Sequence, residues 1–225
     1  MDYKKLFHKE EAFQRETFQK RMEEFGFKNM ARMELFLWDL ELFLHIQKIL
    51  GDKIILKGGA ATQFYLPRDA QRTSVDIDML FFGTEEEIKK TLRKIEEYLG
   101  TEDELFYFHK HSPKNPKTNL PLHTYYTKVP SVLSNAERNM ERESIPYQEL
   151  KIEFILQPEK WEYERRTGEN IFAVNSSWNY QILPLNYLFA DKLTTLGCNT
   201  IGVQNERLDE QVKQFYDIMM LSRNC

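Results

Sequence analysis

The segment from Lys57 to Asp78 reads KGGAATQFYLPRDAQRTSVDID, and the rest of the sequence is interpreted around it. A short β-branched run, Lys53 to Leu56, precedes it and is typical of a buried strand. The pair Gly58-Gly59 follows, where the lack of a Cβ lets the backbone turn sharply and lie close to a ligand. The apolar periodicity from Ala60 to Leu66 predicts a short helix. A strand, a glycine turn and a helix N-terminus together predict a phosphate site.

The second half of the segment supplies acidic side chains. Residues 75–82, VDIDMLFF, alternate and then become fully apolar, which predicts a strand that enters the core. Because side chains two apart on a strand share a face, Asp76 and Asp78 are expected side by side. Two adjacent carboxylates repel each other unless a cation lies between them or one takes a proton. Mg²⁺ is usually held by one or two carboxylates and substrate phosphates, so the segment predicts a metal with a nucleoside triphosphate such as ATP.

These motifs carry a family resemblance. A glycine pair followed by Asp76-Ile77-Asp78 on the next strand resembles the DNA-polymerase-β-like nucleotidyltransferase superfamily. The fuller string, with Lys57, Tyr65 and the run from Arg72 to Asp78, is similar to the AbiEii/AbiGii-type toxin nucleotidyltransferases. Those proteins are the toxin halves of bacterial abortive-infection toxin–antitoxin pairs. One departure is Ala60, which stands where the superfamily usually has Ser or Thr; whether Thr62 replaces that hydroxyl is left open by the sequence.

Length and composition limit the number of domains and the class of protein. The chain has 225 residues, enough for one large or two modest domains, and a net charge of −4, which does not favour non-specific nucleic-acid binding by the whole molecule. Its two cysteines, Cys198 and Cys225, lack metal spacing and predict free thiols. The charged N-terminus leads into no apolar run, and no stretch is long and apolar enough to cross a bilayer. A soluble cytoplasmic protein with no membrane contact is therefore expected.

Hydrophobic periodicity predicts the remaining elements. Helices are expected over residues 3–25 and 31–50 and between Thr84 and Gly100, and strands over residues 105–108, 122–129 and 149–156. His45 lies among apolar neighbours and is interpreted as a core or boundary histidine. Residues 158–178 are irregular and polar and predict a linker or loop. Helices are expected to follow from Pro184 and over residues 205–221.

The predicted fold class is α/β (α+β), with a mixed twisted sheet of the nucleotidyltransferase type, flanking helices and a C-terminal helical bundle. The predicted domains are residues 1–157, a nucleotidyltransferase α/β domain with N-terminal helices, and residues 180–225, a helical part. Between His109 and Lys128 the sequence is basic and rich in proline, beside two tyrosines. This segment could contact a phosphate backbone and stack bases, or be a solvated hairpin loop.

The resemblance implies further site residues. It places a third carboxylate at Glu153, as a metal ligand or as the general base; the residues alone also allow an exposed glutamate on an edge strand. It places a phosphate-binding lysine at Lys192, within Asp-Lys-Leu, and a closing acid at Asp217. Gln214 stands where the family has a preceding acid; Asp209 could compensate for this departure or be a surface residue.

The implied reaction moves a nucleoside monophosphate from a nucleoside triphosphate to an acceptor hydroxyl. Asp76 and Asp78 would hold Mg²⁺ (or Mn²⁺), Gly58 and Gly59 would admit the phosphates, and the cations would steady them. Those cations are Lys192, Arg72 and Lys57. Ser74 is interpreted as a ligand, a site of self-modification or a strand-start hydroxyl.

The family implies tRNA as the acceptor and a cognate antitoxin as a partner. Two alternatives remain open at this point. One is a nucleotidyltransferase for a small molecule such as an aminoglycoside, and the other is a degenerate, non-catalytic binding protein.

Overall fold

The computed structural model describes residues 2–112, 121–138, 146–196 and 208–223, without the side chains of residues 208–210. The first elements are two 3₁₀ turns, Tyr3–Lys5 and Glu10–Phe13, and the helices α1 (Arg15–Phe25) and α2 (Met30–Leu50). The prediction of one helix over residues 3–25 is therefore wrong in its first half. The backbone N–H groups of Phe7 and His8 donate to the carboxylate of Glu41 instead of to helical carbonyls. The predicted end of this helix at residue 25 is confirmed, and Gly26 forms a left-handed cap after it.

The remaining helices and strands are given in chain order. They are β1 (Ile54–Leu56), α3 (Gly58–Thr62), β2 (Asp76–Phe81), α4 (Glu85–Leu99), β3 (His109–Lys110), β4 (Leu122–Pro130), β5 (Tyr147–Leu156), β6 (Glu164–Gly168), β7 (Ser176–Ile182), α5 (Leu185–Thr194) and α6 (Leu208–Ser222). Four further 3₁₀ turns lie at Gly51–Lys53, Gln63–Tyr65, Arg68–Ala70 and Glu102–Glu104. Thr84 and Glu87 form the capping box that opens α4.

Within the described residues the strands form one mixed sheet in the order β3-β4-β5-β2-β1-β7-β6. The central strand β2 runs antiparallel to β1 and parallel to β5, and β1 runs parallel to β7. The predicted mixed sheet with flanking helices is confirmed. The described C-terminal part is helical, as predicted, and its helices α5 and α6 pack against each other.

Two segments differ from the predictions. The predicted linker over residues 158–178 contains β6 and the start of β7, and β7 joins the sheet beside β1. The strand β6 has the sequence ERRTG. Because charged residues are common on edge strands, β6 lacks the apolar alternation from which a strand is predicted. The predicted strand over residues 105–108 is absent, because Phe106 adopts a positive φ of 55° that breaks the extended backbone. The division into two domains stays a prediction.

The core lies between the sheet and α2. This helix is buried around most of its circumference, contacts β1, β2 and β5, and includes the fully buried Phe36, Leu40 and Phe43. His45 is buried on α2 and bonded to Glu41, which confirms its interpretation as a core residue. The short helix α3 contacts β2, and α5 and α6 both contact α3. The C-terminal helices therefore contact the short helix that begins at the glycine turn.

Candidate active site

The acidic pair lies at the start of β2. Asp76 and Asp78 are half-buried on one side of the strand, whereas Ile77 and Met79 point into the core and are fully buried. This alternation confirms the prediction that the two carboxylates share a face. Both aspartates line a cleft of about 180 Å³.

The glycine turn lies directly against the second aspartate. Gly58 has a φ of +68°, and a Cβ added there would lie 2.9 Å from Cγ of Asp78 and closer still to its Oδ2. The backbone N–H of Lys57 donates to the carbonyl of Asp78 at 2.8 Å, which fixes the turn to the strand. The two halves of the segment, separated by about twenty residues in the sequence, therefore meet in the fold.

The next glycine faces a different pair of side chains. A Cβ added at Gly59 would lie 2.9 Å from Oγ of Ser74 and 3.0 Å from Nη2 of Arg72. Ser74 and Arg72 both line the cleft with Gly59. The hydroxyl of Thr62 instead donates to the carbonyl of Gly58 at 2.9 Å and is fully buried. Thr62 therefore does not supply the hydroxyl that Ala60 lacks.

Negative charge is concentrated at Asp78. Burial, and then the charges of Glu153 and Asp76, raise the pKa of Asp78 to about 7, against a smaller lowering effect of Lys57. A carboxyl group crowded by two others in this way favours a cation among them. Hard carboxylate oxygens are the ligands that Mg²⁺ and Mn²⁺ accept, so Asp76 and Asp78 fit such an ion.

A complete metal cage of protein ligands is not formed in the part of the chain that the structure describes. No three histidine, cysteine, aspartate or glutamate side chains there are arranged to hold a metal ion. A metal held by the two aspartates could also bind oxygen atoms of a ligand. Phosphate oxygens of a nucleotide are ligands of the right kind.

Glu153 lies beside this pair on the neighbouring strand. In the parallel register of β2 and β5, Glu153 is opposite Asp78 and Lys151 is opposite Asp76. One carboxylate oxygen of Glu153, Oε1, accepts a hydrogen bond from Oγ1 of Thr124 at 3.1 Å and lies 2.9 Å from Nζ of Lys151. The structure thus brings Glu153 next to Asp78, on a central strand rather than on an edge strand.

The family-implied residues of α5 and α6 form a buried ion cluster. Lys192 is 3% exposed, and its Nζ lies 2.9 Å from Oδ2 of Asp217 and donates to Oε1 of Gln214 at 2.9 Å. Arg72 also pairs with Asp217 through two hydrogen bonds. Burial alone would raise the pKa of Asp217, but the bonds from Arg72 and the charges of Lys192 and Arg72 lower it. Arg72, Lys192 and Gln214 line the cleft, whereas the fully buried Asp217 lies behind them.

Lys57 forms an ion pair with a different acid from the one that holds Lys192 and Arg72. Its Nζ lies 2.6 Å from Oδ1 of Asp191, the residue before Lys192 on α5. The structure places Lys57 near Asp78, as its effect on the pKa of that residue indicates, but not among the residues that line the cleft.

Three cations and one acid near the site were assigned no role from the sequence. Arg32, Lys151 and Lys213 line the cleft. Lys151 could have been found from its spacing, because it precedes Glu153 by two residues on the same strand face. Arg32 and Lys213 come from α2 and α6, and no local pattern connects them. Asp39 of α2 is 1% exposed, and among the described residues neither of its carboxylate oxygens has a hydrogen-bond partner. The charges of Asp76 and Asp78 contribute to the raised pKa of Asp39.

The sequence comparison identifies the class. A family model described as "Nucleotidyl transferase AbiEii toxin, Type IV TA system" matches residues 42–225, which include the glycine turn, the acidic strand and both C-terminal helices. The protein is therefore a nucleotidyltransferase. It belongs to the AbiEii family of toxins from Type IV toxin–antitoxin systems. No curated protein matches the chain.

Solved structures resemble the chain only distantly. JHP933 from Helicobacter pylori has 12% identity and a TM-score of 0.45, with 96% of this chain and 68% of that chain covered. The Megavirus polyadenylate synthase has 10% identity and a TM-score of 0.42, with 94% of this chain covered. This chain covers 34% of the length of the synthase. No helix in the described ranges has the length and apolar character needed to span a membrane.

Proposed function

We propose that this protein transfers a nucleoside monophosphate from a nucleoside triphosphate to a hydroxyl group of RNA, with tRNA as the first candidate, using Mg²⁺ or Mn²⁺. We further propose that it acts in the cytoplasm as a toxin that a cognate antitoxin opposes. The observation that carries the proposal is the contact between Gly58 and the carboxylate of Asp78. It puts a turn that can admit phosphate groups next to the acids that can hold their metal ion.

The phosphate end of the site is built from Gly59, Ser74, Arg72 and Lys192. Gly59 leaves space where any larger residue would meet Ser74 and Arg72. The guanidinium of Arg72 and the ammonium of Lys192 supply positive charge to the cleft, and Asp217 holds both in place from behind. Asp217 is therefore proposed as a positioning residue. Ser74 lines the cleft and is proposed to donate its hydroxyl to a phosphate oxygen.

The acidic end is proposed to orient the reacting groups. A bound divalent ion would neutralise the charge of the triphosphate and make the acceptor hydroxyl more acidic. Asp76 and Asp78 would hold that ion. In the reaction, the acceptor oxygen forms a bond to the α-phosphorus, the bond from that phosphorus to the bridging oxygen breaks, and pyrophosphate leaves. Glu153, next to Asp78, is proposed to take the proton of the hydroxyl.

Charge in the cleft favours RNA over an aminoglycoside as the acceptor. The lining side chains include five cations, Arg32, Arg72, Lys151, Lys192 and Lys213, and two acids, Asp76 and Asp78. An aminoglycoside is polycationic, so this lining would repel it, whereas it would attract a phosphate backbone. Residues 113–120 of the basic segment between His109 and Lys128 lie outside the described residues, and contact of this segment with RNA stays a prediction.

A labelling experiment tests the proposal. The protein is incubated with Mg²⁺, each of the four labelled nucleoside triphosphates, and either total RNA or an aminoglycoside. We expect label in tRNA, and we expect Asp78→Asn to abolish it. Glu149→Gln is the matched control, because Glu149 is an exposed acid on the same strand as Glu153 and lies outside the cleft.

The other outcomes separate the alternatives. Label on the aminoglycoside alone would establish the small-molecule reaction. No transfer at all, together with no Mg²⁺-dependent binding of a triphosphate, would establish a non-catalytic binding protein. As a cellular test, induced expression should arrest bacterial growth for the natural sequence and not for Asp78→Asn.

A further inference from the structure

A single cation lies within the acidic patch of the β2–β5 pair. Lys151 is opposite Asp76 and Glu153 is opposite Asp78, so the four charged side chains share one face of the sheet. Three of them are carboxylates. The ammonium of Lys151 is therefore placed where a divalent metal ion would also be attracted.

The contacts show which carboxylate the lysine holds. Nζ of Lys151 lies 2.9 Å from Oε1 of Glu153, and Thr124 donates to the same oxygen at 3.1 Å. The Lys151 side chain is 33% exposed and lines the cleft, so the ammonium remains within the site rather than extending into open solvent. Burial lowers the pKa of Lys151, yet Glu153, Asp76 and Asp78 together raise it above its usual value. The ammonium is thus within electrostatic reach of all three acids.

We propose that Lys151 is an internal cation that holds Glu153 when no divalent ion is bound and competes with the ion for this carboxylate. The inference rests on the proposed metal-dependent function. A doubly charged ion at Asp76 and Asp78 repels the ammonium and attracts Glu153. The triphosphate brings the negative charge that can accept the displaced ammonium. Lys151 therefore weakens the binding of free metal and makes firm metal binding depend on the nucleotide.

The affinity of the protein for Mn²⁺, measured by electron paramagnetic resonance without nucleotide, tests this. We expect Lys151→Met to bind Mn²⁺ about tenfold more tightly, because it removes the repulsion between a single and a double charge a few ångströms apart. Lys151→Gln should behave in the same way, and Lys151→Arg should stay close to the natural protein. Lys128→Met is the matched control, because Lys128 lies on the adjacent strand β4 and pairs with Glu104 outside the cleft.

A second measurement adds a non-hydrolysable triphosphate analogue. The analogue should increase Mn²⁺ affinity in the natural protein and increase it less in Lys151→Met, because the nucleotide no longer has to displace the lysine from Glu153. Thermal unfolding of each variant confirms that it is folded.

The two proposals fail in different ways. If Asp78→Asn weakens Mn²⁺ binding but Lys151→Met leaves it unchanged or weaker, the role of Lys151 is wrong and the proposed function stands. If the natural protein shows no Asp78-dependent Mn²⁺ binding with or without the analogue, both are wrong.

Discussion

Arg72 donates two hydrogen bonds to Asp217, from Nε to Oδ1 at 2.8 Å and from Nη2 to Oδ2 at 2.5 Å, across 145 residues of sequence. The carboxylate is fully buried and also faces Lys192 at 2.9 Å. The pair connects the loop before the acidic strand to the last helix. Asp217 therefore holds both Arg72 and Lys192, two cations that line the cleft.

The first prediction concerns this acid. Asp217→Asn should lower the free energy of unfolding by about 3 kcal/mol, because it leaves the buried Lys192 and the partly buried Arg72 without their counter-charge. Because the pKa of Asp217 is lowered in the fold, its contribution is present at neutral pH and is lost as the pH falls through that lowered value. Urea unfolding at pH 7 and pH 3 checks both points.

A control for that experiment is Asp52→Asn. Asp52 also forms an ion pair, with Lys160, but both side chains are exposed. Little change in stability is expected, because water screens such pairs. An equal loss in the two variants would contradict a special role for Asp217.

The second prediction compares two glycines that both have positive φ. Gly58→Ala should abolish nucleotidyl transfer, because the added methyl group overlaps the Asp78 carboxylate. Gly26→Ala, at φ +71° in the left-handed region, meets no atom within 4 Å and should cost only the roughly 1–2 kcal/mol of left-handed backbone strain. Activity and thermal unfolding of both variants are measured together. Full activity in folded Gly58→Ala would show that the contact is not needed.

The third prediction uses a buried cluster outside the site. Glu41 accepts hydrogen bonds from two backbone N–H groups and interacts with His8 at 2.6 Å and His45 at 3.0 Å. Burial alone would raise the pKa of Glu41, but its partners lower it to about 2. The resulting stability, about 3 kcal/mol, should be present above pH 4.5 and lost as the pH falls toward 2.

Urea unfolding of Glu41→Gln across that pH range checks the expectation. The difference from the natural protein should be large at pH 6 and should shrink at pH 3. Glu97→Gln, at an exposed position of α4, provides the control and should show no such pH dependence. A difference that stays constant with pH would assign the effect to packing instead of charge.

The fourth prediction concerns Asp39. Burial, and then the charges of Asp76 and Asp78, raise the pKa of Asp39 well above its usual range. An acid raised in this way costs stability once the pH exceeds its unfolded value, so the cost is present at pH 7 and is removed in acid. Asp39→Asn should therefore increase the free energy of unfolding at pH 7 by about 1–3 kcal/mol, with a smaller gain at pH 4. A loss of stability at pH 7 would show that the carboxylate has a stabilising role.

The fifth prediction concerns the cations at the cleft. Arg32→Gln and Lys213→Gln should each weaken RNA binding, and each should reduce the slope of log affinity against log salt concentration by about 1 if one phosphate contact is lost. Filter binding across a salt series measures this slope. Lys20→Gln, on the exposed surface of α1, should change neither value. An unchanged slope in both cleft variants would place the RNA elsewhere.

The sequence predicted the centre of the site because its signals are local. A glycine pair after a β-branched run and two acids two residues apart depend only on backbone geometry and strand periodicity. The capping box at Thr84 and the cap at Gly26 were predictable for the same reason. The strand β6 was missed because it is charged, and the irregular start of the chain was missed because Glu41, far along the sequence, takes its N–H bonds.

The sequence by itself therefore determined the elements around Lys57–Asp78 and the alternation that puts Asp76 and Asp78 on one face. Through its family pattern, it also indicated Lys192 and Asp217 as candidate site residues. Only the tertiary structure decided that Gly58 touches Asp78, that Lys151 pairs with Glu153, and that Asp217 holds Arg72 and Lys192 from behind. The physical reason is the distance along the sequence over which each feature is determined. Periodicity fixes where a side chain points on its own strand or helix, whereas the partner it meets depends on strand register and helix packing between distant segments.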